Sequence, residues 1–347
     1  MVKKTEEKET TLTDIEALVK LAEKSFGCYT GFGNDDKSIV QKVSSGIEFF
    51  DRILAGGFRR GAIHLLSGGF ASGKTFMAQT AIAKMQKEKP NSICVYIDAE
   101  HRYDPEWFSL TGVDVSKLIV QRPSYGEQAM DLVIFWCEHG ADIVVLDSLA
   151  ALVPMAEDIE SVEKQSMGQQ ARMLSKAFRK IVPKNLNTVL ICINQLRQDI
   201  GNTYSRGILH KMPGGESQYF YAALIVDVRR GEYTLDKAGQ KVGHQINCLV
   251  TKCNYAPPFG SCKIPLIYKT GSVDIIGAIC NAAIDEGFIP KKGGWYYPEG
   301  KDGQPFQGLE ALKEYYTANT EAFEIIKEQV YSAPVVIEDP AIVLPES

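Results

Sequence analysis

The residues with the clearest chemical purpose are Gly68, Gly69, Phe70, Ala71, Ser72, Gly73, Lys74 and Thr75, which read G-x-x-x-x-G-K-T. Glycines at this spacing let backbone N–H groups turn inward around phosphate oxygens, where a side chain would clash. Lys74 would reach the β- and γ-phosphates of a nucleoside triphosphate, and the Thr75 hydroxyl would hold Mg²⁺. The helix that follows, from Phe76, would point its positive end at the phosphates. Two further runs end in acids. Asp142–Asp147 is an apolar strand closing on Asp147, whose carboxylate would sit beside the metal at the carboxyl end of a sheet. Tyr96-Ile97-Asp98-Ala99-Glu100-His101 ends in acids that can polarise the water attacking a γ-phosphate. A last run, Thr188–Asn194, leads into Gln195. An uncharged amide at such a tip can hydrogen-bond the γ-phosphate and lose that bond after hydrolysis.

These groups need strands to carry them and helices to separate the strands. Ala62-Ile63-His64-Leu65-Leu66 reads as a buried strand ahead of the glycine-rich loop, and Phe76–Met85 as the helix after it. Apolar strand-like runs recur at Ser92–Asp98, Leu118–Gln121, Asp142–Asp147, Thr188–Asn194, Ala223–Val228 and Ile246–Lys252, with helical patterns between several of them. The pattern predicts an α/β core on a mainly parallel central sheet, and the late strands without helices between them predict an antiparallel extension. Residues 1–12 read as disordered. Thr13-Asp14-Ile15-Glu16 is a capping-box pattern opening a helix whose stripe is Ile15, Leu18, Val19, Ala22 and Phe26, stopped by Gly27. It lies outside the main pattern, and packs either on its own core or on a neighbour. A polar linker covers 28–41. The expected organisation is 1–41 for tail, helix and linker, 42–272 for the core, 273–331 for a small α+β domain and 332–347 for a disordered tail. The small domain would hold a helix Val273–Glu286, a hairpin at Gly293-Gly294-Trp295-Tyr296-Tyr297 and a last helix within Gly308–Tyr331.

The 347 residues have the composition of an ordinary soluble protein and no apolar run near the ~18 residues of a membrane span. The charged start lacks a signal core, so a cytoplasmic location is expected. The eight cysteines form no C-x-x-C pair, which argues against zinc, and Cys94, Cys192 and Cys248 lie within apolar strands. A net charge of −5 means that nucleic-acid binding would depend on a local patch.

The motifs, in order, resemble the bacterial and phage RecA recombinase family over roughly residues 13–331. They are the phosphate loop; Ile97-Asp98-Ala99-Glu100-His101; Gly126-Glu127-Gln128-Ala129; Val145 through Pro154; Met167-Gly168-Gln169-Gln170-Ala171-Arg172-Met173; Ile193-Asn194-Gln195-Leu196-Arg197; Gly214-Gly215; Phe220-Tyr221-Ala222; and Asp227-Val228-Arg229-Arg230. The resemblance implies a RecA-like P-loop NTPase core with an N-terminal polymerisation helix. It implies a DNA-dependent ATPase with ATP and Mg²⁺ that forms helical filaments on single-stranded DNA, pairs them with double-stranded DNA, and serves recombination, repair and the SOS response. Single-strand-binding and recombination mediator proteins are implied partners, and no membrane is. Glu100 matches the catalytic glutamate and Gln195 the γ-phosphate sensor. Asp104 and Trp107 fall where the family contacts adenine, core packing being the alternative for Trp107. Two loops would meet DNA: Glu157–Gly168, ending in Met167 and Gly168, and Leu196–Gly215, with Arg197, Tyr204, Arg206, His210, Lys211, Gly214 and Gly215. Arg172 follows the first.

The chain also departs from that family. The first loop is acidic, with Glu157, Asp158, Glu160 and Glu163 against Lys164, and Asp199 in the second replaces a usual lysine. Of the family's lysine pair reaching a neighbour's γ-phosphate, Lys252 is present but the second position is Asn254. Hydrolysis is therefore expected to be slower or to need another cation. The small domain has more acids than bases, which weakens a role in duplex entry. A ring-forming DNA translocase and a slowly hydrolysing, ATP-gated DNA scaffold stand as alternatives.

Overall fold

The computed structural model describes residues 12–31, 33, 41–156, 168–198, 210–211, 213–236, 238–300, 303–335 and 337. The chain forms two units, Met1–Gln41 and Lys42–Ser347. The first contains helix α1, Leu12–Phe26, which opens just ahead of the expected capping box, within the latitude of a helix end. Gly27 closes it in the left-handed region, at φ 64°, and donates to the Glu23 carbonyl. Ile15, Leu18, Leu21 and Phe26 are all exposed.

In the second unit a small antiparallel pair, Lys42–Val43 with Phe58–Arg59, flanks a short helix α2, Glu48–Ile53. There follow β1 (Ala62–Gly68), α3 (Lys74–Glu88), β2 (Cys94–Asp98), α4 (Pro105–Leu110), β3 (Leu118–Gln121), α5 (Gly126–Glu138) and β4 (Ile143–Asp147). Next come α6 (Gln169–Lys184), β5 (Val189–Gln195), α7 (Ser217–Tyr221), β6 (Leu224–Leu235), β7 (Lys241–Cys253), β8 (Ser261–Ile267) and β9 (Ser272–Val273). These nine strands form one sheet in the order β9-β8-β7-β6-β1-β5-β4-β2-β3. Every pairing from β6 across to β3 is parallel, and those from β6 out to β9 are antiparallel, as the spacing of helices and late strands predicted.

The central strands read as unbroken apolar runs because both faces are covered. Alternate residues serve different cores. Tyr96, Val145, Ile191 and Ile193 pack with Met77, Ala81 and Ile82 of α3. Val95, Val144, Leu146 and Leu190 pack with Val133 of α5 and with Leu174 and Phe178 of α6. This two-sided packing sets the register and brings the carboxyl ends of β1, β2, β4 and β5 to one edge. Two strands run further than their apolar stretches. Beyond Val228 and ahead of Ile246, the chain continues as a polar two-stranded ribbon, with Tyr233 opposite His244 and Leu235 opposite Lys241. Hydrophobicity marks only the part of a strand that the core covers.

The C-terminal part holds α8 (Ile275–Asp285), three paired short strands (Lys291–Lys292, Trp295–Tyr296 and Phe306–Gln307), α9 (Leu309–Ala318) and α10 (Thr320–Ser332). The single last helix expected is thus two, broken at Asn319, whose φ of −115° and ψ of 78° are not helical. Ile279, Leu312, Tyr316, Ile326 and Val330 form a third core that also takes Phe49 from α2. The tail expected to be disordered from Ser332 is tied down at its start. Arg52 donates to the carbonyls of Ala333 and Pro334, Val335 packs on the main core, and Ile337 bridges to Gly260. Residues 338–347 lie outside the described residues. Among those described, no helix is long and apolar enough to cross a membrane.

Candidate active site

The loop Gly68–Thr75 turns between β1 and α3, and its glycines are there for steric reasons. A Cβ on Gly68 would lie 2.0 Å from the Val228 carbonyl oxygen, and one on Gly73, at φ 101°, would lie 2.4 Å from Ile246. Lys74 is buried at the root of the loop. Its Nζ donates to Gly69 O at 2.6 Å, Gly68 O at 3.1 Å and Ser72 Oγ at 3.3 Å. Burial holds its pKa below the usual lysine value, against the pull of the nearby Asp147 carboxylate. Thr75 Oγ1 donates to Asp147 Oδ2 at 2.8 Å, and Tyr96 OH donates to the same oxygen at 2.8 Å. Desolvation raises the Asp147 carboxyl pKa despite these bonds, so a cation at this point would relieve a real electrostatic cost. Among the described residues no three His, Cys, Asp or Glu side chains gather to hold a metal alone. The oxygens of Thr75 and Asp147 are of the kind Mg²⁺ takes, one or two from protein, with water and substrate phosphates completing its shell.

Glu100 lies two residues beyond the tip of β2. Its Oε1 accepts from Ser148 Oγ at 2.6 Å and from Gln195 Nε2 at 2.5 Å, while Oε2 pairs with Arg102 at 3.1 Å. Sequence reasoning gave Glu100 and Gln195 separate roles; the sheet order joins them in one hydrogen bond. Gln195 ends β5, and the next residue, Leu196, donates its N–H to Gly68 O at 3.1 Å. The second loop starts at once. Its two arms pair as a short ladder, Arg197 opposite Lys211 and Gln198 opposite His210. Its far end is also tied to β5, since Asn194 Nδ2 donates to Pro213 O at 3.0 Å and to Gln218 Oε1 at 2.8 Å. Gly214 and Gly215 have φ of 94° and 79°, and a Cβ on either would strike α6, at Leu174 or Ala171.

At the other end of the cleft, Asp104 caps α4, with Oδ1 accepting from Glu106 N at 2.9 Å and Trp107 N at 3.4 Å. Asp104 and half-buried Trp107 line the same cleft of about 610 Å³ as Phe70, Lys74, Thr75, Phe76, Glu100, Asp147 and Gln195. Its opposite wall is one that sequence reasoning missed. Arg230, His244 and Tyr268 line it, and the Tyr268 hydroxyl and His244 Nδ1 are 2.9 Å apart. They come from β6, β7 and the end of β8; Arg230 closes the Asp227-Val228-Arg229-Arg230 motif but was given no role in the site, and no local pattern marks His244 or Tyr268. Gln79 of α3 is a fourth missed residue.

Lys252 does not line this cleft. Its Nζ donates to Tyr219 O at 2.5 Å and to Phe220 O, and partial burial lowers its pKa. Phe220 beside it is 76 % exposed, and Asn254 is exposed at the strand end. Of the residues expected at DNA, Met167, Tyr204 and Arg206 lie outside the described residues, and Arg197 and Lys211 are described by backbone alone. Gly168, at φ 117°, is the N-cap of α6, and Arg172 is exposed on its first turn. Lys176, Arg179 and Lys180 follow at helical spacing; these three were also missed. Among the described residues none of these four cations has an acidic partner within ion-pair distance. Arg172, Lys176 and Arg179 border a cavity of about 420 Å³ that Gly215 shares.

Comparison with known proteins adds the family. Residues 13–273 match the sequence model of the RecA N-terminal domain. The chain is 36 % identical to Protein RecA of Corynebacterium aurimucosum over 323 residues, covering 91 % of this chain and 84 % of that one. It is 38 % identical to Protein RecA of a Nostoc species over 314 residues, covering 89 % and 85 %. With the chromosomal Protein RecA of Lactococcus lactis it shares 36 % identity over 343 residues, covering 96 % and 86 %.

Proposed function

Because this chain belongs to the RecA family of DNA-dependent ATPases that act in recombination and repair, we propose that it hydrolyses ATP with the residues of the cleft and uses that cycle to govern strand exchange on DNA. The phosphate loop and Lys74 bind the triphosphate, and Asp104 and Trp107 take the adenine. Thr75 and Asp147 would hold Mg²⁺, which when bound screens the charge between phosphate oxygens. Glu100 takes the proton of the attacking water. Lys252 acts on the nucleotide of a neighbouring copy, a role suited to a cation that stands outside its own cleft. Asn254 offers no charge there, which supports slow turnover.

The observation that carries this reading is the hydrogen bond between Glu100 and Gln195 at the root of the second loop. A γ-phosphate that draws the Gln195 amide toward itself must weaken that bond and shift the strand end carrying the ladder. The nucleotide state then biases the loop, and the loop's DNA contacts bias nucleotide affinity by the same factor. The basic face Arg172, Lys176 and Arg179 extends the DNA surface beside Gly215. Assembly is a head-to-tail filament on single-stranded DNA in the cytoplasm, with α1 docking on the next copy; such contacts run on as an open helix wherever their rotation does not close a ring. Joint-molecule formation from homologous single- and double-stranded DNA tests the proposal. Wild type should form joint molecules with ATP and Mg²⁺, and Lys74→Ala should not. Joint molecules formed equally by both would remove the nucleotide cycle from the reaction.

A further inference from the structure

Among the described residues, every buried side-chain amide keeps at least one hydrogen-bond partner, with one exception in the nucleotide cleft. Gln86 of α3 exchanges two hydrogen bonds with the Asp114 backbone, at 3.0 and 2.9 Å. Gln170 donates to Leu149 O and Leu152 O, and Gln218 to Pro213 O and Gly215 O. Gln79 of the same helix is fully buried, at 0 % exposure, and neither Nε2 nor Oε1 has a partner among the described residues. Burying an amide without partners is costly, and leucine or methionine would fill this position without that cost. The flanking positions on α3, Ala78, Ala81 and Ile82, are in fact apolar and fully buried.

Gln79 lines the cleft, and its place on the helix says which end. It lies three residues after Phe76, hence on the same face, and five after Lys74, about 7.5 Å further along the axis. Lys74 anchors the phosphates, so the heterocycle falls away from it. The same cleft is lined by two aromatic side chains, Trp107 and Tyr268, and by the carboxylate of Asp104, whose Oδ1 is engaged in capping α4. An amide offers one donor and one acceptor side by side, the complement of adenine's amino group and adjacent ring nitrogen. Turned over, the amide would also match guanine's carbonyl and adjacent ring N–H, so it is Asp104, which can only accept, that ties the pair to adenine's amino group.

We propose that Gln79 is a specificity residue that hydrogen-bonds the edge of the adenine ring and, together with Asp104, gives the cleft its preference for ATP over GTP. This rests on the reading of the cleft as the ATP site. A site built to pair a polar group rejects the nucleotide that leaves it unpaired more strongly than an apolar pocket does.

Calorimetric titration of the full chain with ATP, GTP and inorganic triphosphate, each with Mg²⁺, tests it. Gln79→Met, unbranched and of the same length, should raise the Kd for ATP about tenfold, the scale of one lost hydrogen-bonding group. It should narrow the ATP-to-GTP ratio and leave inorganic triphosphate, which has no base, unchanged. Its melting temperature without nucleotide should equal or exceed that of wild type; Gln79→Leu repeats the test if the methionine variant folds poorly. An unchanged ATP Kd, an unchanged ATP-to-GTP ratio, or an equal loss for inorganic triphosphate would overturn the role of Gln79. Failure of wild type to bind any of the three would overturn the nucleotide reading itself, which separates the two.

Discussion

Glu100 shows how much of a residue's role depends on what holds it. One oxygen is shared by Ser148 and Gln195 and the other is paired with Arg102, so the carboxylate cannot swing freely. Glu100→Gln keeps the size and removes the basic oxygen. It should bind ATP as wild type does and lose turnover by about 10²–10⁴-fold, the usual scale of a lost general base. Calorimetry and steady-state phosphate release, measured together, check both halves. If binding fails while residual turnover is normal, Glu100 is a structural anchor. The same logic separates Lys74, which the loop's own carbonyls hold, from Lys252, which carbonyls of α7 hold outside the cleft.

At the scale of the element, two features carry measurable consequences. The exposed face of α6 presents Arg172, Lys176 and Arg179, none of them within ion-pair distance of an acid among the described residues, although Glu216 borders the same cavity. Single-strand affinity falls with salt by a log–log slope of about 0.7 per neutralised phosphate. Replacing the three by alanine should therefore flatten that slope by about 2. Fluorescence titrations of labelled oligonucleotide at several salt concentrations measure it, and an unaltered slope would clear this face of DNA contact. The second feature is His64 in β1, buried beneath Phe58 with Nδ1 donating to Leu190 O at 3.0 Å. Burial lowers its pKa to about 3. In the unfolded chain it titrates at its ordinary value near 6.5. The neutral ring therefore contributes its full stability above pH 6.5, and that contribution is lost as the pH falls toward 3. Between pH 6.5 and 5 the loss is about 2 kcal/mol. His64→Asn stays neutral throughout and can still donate to Leu190. Its urea-denaturation free energy should vary less over this range than that of wild type, and an equal slope would place the titration elsewhere.

The whole molecule consists of a core unit and a separate N-terminal one. Helix α1 keeps Leu18, Leu21 and Phe26 60 %, 59 % and 81 % exposed, apolar surface that the filament proposed above assigns to contact with a further copy of the chain. Deleting residues 1–27 should leave a folded, ATP-binding monomer that scatters no more light on single-stranded DNA than a bound monomer does, and that shows no filaments by electron microscopy. Filaments of the truncated chain would mean that assembly does not need α1.

Much of this protein is legible in its amino-acid sequence, because local patterns carry local structure. Glycine spacing before a helix, acids at the ends of apolar runs and the alternation of strands with helices placed the phosphate loop, Asp147, Glu100 and Gln195 at strand ends without any coordinates. The order of motifs was enough to assign the family. The local pattern of the terminal segments was less telling: one expected helix is two, and the start of the tail is bound through Arg52, a residue some 280 positions away. The far wall of the cleft, with Tyr268 and His244, was invisible for the same reason, since its strands reach the loop only through the antiparallel half of the sheet. So was the Glu100–Gln195 bond, which joins β2 to β5 across β4. A chain's short-range periodicity specifies which face of an element is apolar, but strand order decides which polar side chains meet. The unpaired amide of Gln79 is the sharpest case, for in sequence it is one more polar residue in a helix, and only burial makes it a demand for a partner.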